Sequence, residues 1–496
     1  MRKTKWSPAL RGGALIGVTA LMSFGTLSAV NAAAGDDSES LGAFLGADLA
    51  ELNAADLAYA YASNPGGPPL DTDPFNLAAL ELLALDLELV GDGLLQVPLI
   101  TDGSGPGILD LGEAGTLNSY ASSPSTTQAT AASGLVADDG TIAVSEDADP
   151  ADHGTATINL TDLLDQLGVD AVTEELIDEV ELEVGALASR ASDAAGSDPT
   201  SDYRVGDLGL EVESPIVAEL SQAIRTALSG VADDLTADLN GLVAADGVIN
   251  TLLDGIDLDV AGLASLTLGE PTVAVTVGDL AAAIDTALGE NAILVSDDGS
   301  VEIDLTDGTI EVDLAEIVNP GGPNLNGLPA NTSVLTAETI SMITAGVTNA
   351  LGKIVTPITN AVAQVVNETS LTVSVQVTAT AGIPPLVPTQ TVIDAPITIS
   401  GTLAQLATGN GTIDADVEVL PDLPLGLGEL VSALLGDLTG TLTDQVAQPV
   451  LDALGPLVLG IVDATAAEVT GALDLVIDGV LELLDPALDG LLSNIV

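Results

Sequence analysis

Cysteine is absent from the 496-residue chain, so neither disulfides nor thiolate chemistry is available to it. A single histidine, His153, leaves no set of imidazoles and thiols for a zinc centre. Aromatic side chains are few: one Trp, three Phe and four Tyr, with Trp6 and Phe24 in the first thirty residues. Any core must therefore be filled by Leu, Val, Ile and Ala. Cations are scarcer still, eight Lys and Arg against 74 Asp and Glu. No G-x-x-x-x-G-K-[ST] loop, dinucleotide fingerprint or G-x-S-x-G elbow occurs.

The few cations are unevenly placed. Arg2, Lys3, Lys5 and Arg11 precede an apolar stretch at 14–30, which ends in the small residues VNAAAG. That is the order of a secretory signal peptide, expected over 1–34, with Val30/Ala32 or Ala32/Ala34 as the −3/−1 pair. Export would leave Arg190, Arg204, Arg225 and Lys353, four cations against 74 acids, a net charge of −70. Nucleic acid and anionic lipid both need Lys and Arg to meet phosphate, so neither is an expected partner. Such a charge keeps a chain soluble and repels itself in the compact state.

Acidity alone would suggest disorder, but 47% of residues are apolar and the charges are interspersed, so a core can form. Alternating strand patterns occur at Leu208-Leu210-Val212, Leu266-Leu268, Val273-Val275-Val277, Val301-Ile303-Leu305, Ile310-Val312-Leu314, Leu371-Val373-Val375-Val377 and Ile397-Ile399. Alternation of this kind fits sheets with one wet face, where the carboxylates would stand. Helical spacing of three and four marks 215–245 (Ile216, Leu220, Ile224, Leu228, Val231, Leu235, Leu239, Leu242) and 336–366, where Pro357 is expected to kink the helix. From about 427 the pattern is helical, broken by Pro449, Pro456 and Pro486. The apolar C-terminal third is interrupted by acids too often for a membrane span, and the uncharged run 371–393 alternates like a strand.

The expected class is α+β: antiparallel β-sheets plus long amphipathic helices, with a helical C-terminal region. The expected segments are a signal peptide at 1–34, an α+β domain at 35–250, a β-rich domain with a long helix at 251–420, and an apolar helical region at 421–496. NPGGP at 64–68 and 319–323, SSPSTTQAT at 122–130 and GIPPLVPTQ at 382–390 punctuate the chain.

The decapeptides LVADDGTIAV (135–144) and LVSDDGSVEI (294–303) invite a calcium reading. An EF-hand loop spaces its Asp residues and places a Glu six beyond the glycine, whereas here two Asp are adjacent and Leu305 holds that place. Asp-Gly between extended apolar runs predicts a hairpin turn. LVAADGVI (242–249) is a looser copy ending the first long helix. Two oxygen-rich clusters could still hold calcium weakly: Glu146, Asp147, Asp149 and Asp152, and Asp297, Asp298, Glu302 and Asp304. His153, in DADPADHG, reads as a surface-loop residue. Carboxylate pairs such as Glu181/Glu183 and Glu211/Glu213 could serve a hydrolase, but 74 acids produce such pairs without purpose. No catalytic residue and no cofactor beyond weakly held calcium is expected.

Five stretches carry a resemblance: FLGADLAELNAADLAYAYAS (44–63), LDLELVGDGLLQVPL (85–99), AASGLVADDGTIAV (131–144), LEVGALASRASDAAG (182–196) and SDYRVGDLGLEVESPIV (201–217). Over roughly residues 36–260 the chain resembles the choice-of-anchor G family of actinobacterial secreted surface proteins. That resemblance implies a secreted protein whose relatives end in differing cell-surface anchors; it brings no functional residues. Here the sequence ends LDGLLSNIV without LPxTG, a closing apolar span or a basic tail, and LPANT at 328–332 reads as a loop. The expectation is a non-enzymatic, acidic, extracellular structural or adhesive module. An exported Asp/Glu hydrolase and a carrier of lipid or another apolar ligand are the alternatives. Expected partners are the cell envelope or a second copy through the 427–496 helices.

Overall fold

A computed structural model describes residues 38–43, 59–74, 84–89, 93–98, 100–101, 109–110, 117–143, 156–161, 176–185, 187–206, 208–256, 265–320, 325–326, 328, 334–383, 387–419 and 439–495. The expected signal peptide, 1–34, lies outside them. The protein is α+β, with antiparallel sheets and separate helices. It divides into two units that alternate along the chain, one of 1–220, 293–352 and 479–496, the other of 221–292 and 353–478.

The first unit holds an eight-stranded sheet. From one edge the order is Ile293–Val295, Val301–Asp304, Thr309–Asp313, Leu208–Glu213, Glu179–Val184, Ala156–Asn159, Leu109–Asp110 and Ile100–Thr101, antiparallel except for the last pair. Alternation sorts the central strands cleanly. Val180, Leu182, Leu210, Val212, Val301, Ile303, Ile310 and Val312 are each at most 7% exposed on one face. The helix Ala337–Gly352 packs on the edge strands Ile293–Val295 and Val301–Asp304, so closely that a Cβ on Gly346 would come within 2.5 Å of Val301.

A five-stranded sheet in the same unit runs Thr200–Val205, Leu187–Ala194, Gln128–Gly134, Asn118–Ser125, Leu70–Pro74. One part of its core, against Leu117, Ala132, Leu135, Val136 and Ala188, takes the Tyr120 ring; another is built without large side chains. Ala60, Ala62 and Ala121 are wholly buried together, and the Ser38 and Ser123 hydroxyls meet at 2.6 Å. At Gly42 the hairpin Ser38–Ala43/Tyr59–Asn64 comes so close that a Cβ would lie 2.5 Å from the Tyr120 carbonyl oxygen. Scarce aromatics are thus matched by short distances between layers. The Ser/Thr-rich 122–130 segment is not a linker, because it is spanned by two paired strands and their turn.

The second unit is built on the hairpin Ser370–Ile383/Val387–Thr402, extended by Ser265–Leu268, Thr272–Thr276 and Thr412–Ala415. Leu371, Val373, Val375, Val377, Ile397 and Ile399 supply the buried face. Helix starts follow local chemistry. Asp279 accepts from the Ala282 amide at 3.0 Å, and Thr402 and Gln405 form a reciprocal capping box ahead of Leu403–Ala407.

Three helices depart from the periodicity. The 215–245 stretch is two helices, Pro215–Ala227 and Val231–Gly241, divided at Ser229–Gly230. Leu228 and Val231 on either side are both buried, so the apolar stripe continues through a break it does not reveal. The 336–366 stretch divides likewise into Ala337–Gly352 and Val355–Glu368. Pro357 does not kink one helix; it is the third residue of the second, where an amide has no intrahelical partner to lose.

Near the C-terminus, Gln448–Ile495 is a single 48-residue helix with Pro456 and Pro486 inside it. A wider π turn at Thr443–Ala447 lies just before Pro449, relieving the turn its ring would crowd. By length and composition, Thr439–Gly490 could cross a membrane. One stripe of it is buried, including Val450, Leu454, Val458, Val469, Leu473, Ile477, Val480 and Leu484. Asp452, Asp463, Glu468, Asp474, Asp478 and Glu482 lie on its exposed side, the pattern of a helix packed against protein.

Candidate functional site: a carboxylate-lined sheet face

The wet face of the eight-stranded sheet is the feature most unlike ordinary packing. Strands of the form E-x-E or x-E-x-D enter it with their acids on the same side. Register then aligns them. Asn159 faces Glu181, Glu181 faces Glu211, Glu211 faces Glu311 and Glu311 faces Glu302. The adjacent rows bring Glu179 opposite Glu213, and Asp313 opposite Gly209, which faces Glu183.

Directly opposed like charges destabilise a sheet. Two carboxylates ~5 Å apart repel by ~3 kcal/mol at an effective dielectric of 20 and by under ~1 kcal/mol in bulk water. Protonation relieves part of this. Burial, then Glu179, Glu211 and Glu183, push the Glu181 carboxyl up to about 7, although a hydrogen bond from Asn159 opposes the shift. Asn159 Nδ2 donates to Glu181 at 3.4 Å and to Glu179 at 2.5 Å. Glu211 is raised too, by burial first and then by Glu183, Glu311, Glu213 and Glu179. A raised carboxyl favours the protonated folded state, so its stabilisation is complete below the ordinary glutamate range and is lost as pH climbs through the folded value.

The paired-Asp decapeptides serve another purpose. In the first, Asp139 Oδ1 accepts from the Thr141 amide at 3.0 Å and its hydroxyl at 2.6 Å. In the second, Asp298 Oδ1 accepts from the Ser300 amide at 3.1 Å and its hydroxyl at 2.8 Å. The residue between them is a glycine with φ of 74° at Gly140 and 77° at Gly299. A third turn of this kind, outside the two decapeptides, is Asp307-Gly308-Thr309, with hydrogen bonds of 3.2 and 2.9 Å and φ of 88°. Its signal is D-G-[ST]. These bonds hold Asp139 and Asp298 below the usual aspartate range, opposite in direction to the sheet glutamates. LVAADGVI differs: Gly247 has φ −69° and starts the helix Val248–Asp254.

The candidate calcium ligands are thereby distributed. Asp298 is held in its turn, and Asp297 Oδ2 accepts from Asn349 at 3.0 Å. Asp304 Oδ1 accepts from the Thr306 amide at 2.7 Å, and Glu302 belongs to the glutamate row. Among the described residues, no group of three or more Asp, Glu or His could hold a metal ion. Glu146, Asp147, Asp149, Asp152 and His153 lie outside the described residues. Between helices Val355–Glu368 and Gln448–Ile495, a cavity of ≈ 20 Å³ lined by Thr359, Val362, Val366, Val462, Thr465 and Val469 has room for one water.

Fold and face together define an α+β protein with an apolar core and an ordered acidic sheet surface. Residues 40–485 match the model of a family described as Domain of unknown function (DUF8394), and the chain belongs to that family. No curated protein and no solved structure matches it.

Proposed function

We propose that the protein is an exported, acidic cell-surface module with a structural or adhesive role rather than an enzyme. The observation that carries this reading is the one-sided sheet, with a packed core on one face and a registered array of carboxylates on the other. Such a face attracts counter-ions and repels anionic neighbours over a broad area instead of focusing on one bond. The leader-like first 34 residues and the resemblance to choice-of-anchor G proteins support placement outside the cell, against the cell envelope. Fractionating a producing culture tests this directly. The reading expects the protein in the wall and extracellular fractions and retained on purified envelope; a cytoplasmic pool alone refutes it.

A second reading draws on Glu181. A glutamate raised to about 7 beside another carboxylate is the arrangement a glycoside hydrolase uses for its general acid. Polysaccharide hydrolysis by the full chain, abolished in both Glu181→Gln and Glu211→Gln, would establish it. No turnover on a broad glycan panel dismisses it.

A further inference from the structure

We propose that the Glu181–Glu211 contact is a proton-held latch, which keeps strands Glu179–Val184 and Leu208–Glu213 paired in mild acid and loosens that seam, ahead of other strands, in mild alkali. The argument rests on register. Glu181 faces Glu211 squarely, and Glu211 faces Glu311 on its other side. Glu179 and Glu183 flank Glu181 on its own strand, and Glu213 flanks Glu211. Glu302 and Asp304 stand one strand further out, with Asp313 beside Glu311.

From the strand on the other side of Glu181 the facing group is Asn159, a neutral donor. Among the described residues, the charges that raise Glu181 are all carboxylates, those of Glu179, Glu211 and Glu183. The ion pairs described elsewhere occupy Arg204 with Asp202 and Arg225 with Asp285. A proton at this row is then the simplest relief of repulsion, and burial with neighbouring charge raises both Glu181 and Glu211 toward keeping one.

The seam is also topologically placed to matter. It joins the 156–184 strands to strand Leu208–Glu213, which in turn pairs with the distant Thr309–Asp313. Opening it separates the sheet into two parts, whereas the hairpin Ser370–Ile383/Val387–Thr402 belongs to the other unit.

Amide hydrogen exchange on the full chain at pH 5.5, 7.0 and 8.5, corrected for the intrinsic base-catalysed rate, reads the latch. Protection within 180–184 and 208–212 is expected to fall by ~10-fold relative to 371–379 between the lowest and highest pH. In Glu181→Gln the fall in relative protection should be clearly smaller than in wild type, and Glu211→Gln should behave alike if the first variant fails to fold. Glu290→Gln, which removes one exposed charge in the other unit, should leave the wild-type profile unchanged. The proposal is overturned if protection in wild type falls equally at 371–379, or if a folded glutamine variant retains the same pH dependence.

Discussion

Three D-G-[ST] turns share one hydrogen-bond scheme but sit in three different surroundings, so glycine-to-alanine substitution grades the contribution of packing. All three glycines have positive φ, a conformation costing an L-residue ~1–2 kcal/mol. At Gly299 an added Cβ meets nothing within 4 Å, so the cost should stop there. At Gly140 it would lie 2.4 Å from the Tyr120 ring, which packs on Leu117, Ala132, Leu135 and Val136. Displacing that ring adds ~1–3 kcal/mol of overpacking. At Gly308 the obstacle is backbone: the Ser214 carbonyl oxygen at 2.4 Å and the Ala218 nitrogen at 2.8 Å, at the start of a helix. Backbone cannot rotate aside as a ring can, and a total of ~3–5 kcal/mol is expected.

The assay is urea unfolding followed in the tyrosine near-ultraviolet band. In a chain lacking residues 1–34 no tryptophan remains, and Tyr59, Tyr61, Tyr120 and Tyr203 all lie in the unit that contains the three glycines. The midpoint should fall in the order Gly299→Ala, Gly140→Ala, Gly308→Ala. A Gly308→Ala protein no less stable than Gly299→Ala would refute the close approach on which this ranking depends.

Other outcomes follow from the same geometry. Pro456 interrupts the hydrogen-bond ladder inside a continuous helix, so Pro456→Ala should raise the far-ultraviolet melting temperature, a gain of ~1–3 kcal/mol; an unchanged or lower value contradicts that accounting. Thr402→Ala removes a capping hydroxyl and should cost ~1 kcal/mol in urea unfolding, with Thr402→Ser retaining most of it; equal losses in both would implicate the methyl group instead. Arg225 and Asp285 meet at 2.5 Å but are 41% and 56% exposed, so a double-mutant cycle should return under ~1 kcal/mol despite the scarcity of cations.

Much of the fold was legible because alternation is a direct record of burial. Strands at 208–213, 301–304 and 309–313 and the stretch 371–379 carry their apolar residues at every second position, and the sheet buries those positions. The helix break at Gly230 left no such record, since Leu228 and Val231 keep the stripe in phase. Prolines misled in both directions: Pro357 falls in a first turn, while Pro456 is carried within a helix whose buried stripe outweighs one lost hydrogen bond. The alternation of the two units along the chain depends on pairing Leu208–Glu213 with Thr309–Asp313, a contact between distant segments that composition does not encode. The same register makes the glutamate row. Glu181 and Glu211 were visible as members of E-x-E pairs, but only strand pairing places them face to face.

The claim tested most directly is that like-charge repulsion on this sheet limits the stability of the unit that bears it. Raising NaCl at pH 8 from ~10 to ~150 mM shortens the screening length from ~30 to ~8 Å. The tyrosine-band melting temperature should rise over that range, and rise less in the double variant Glu181→Gln/Glu211→Gln. A melting temperature that stays flat with salt, or an equal rise in both proteins, would contradict it.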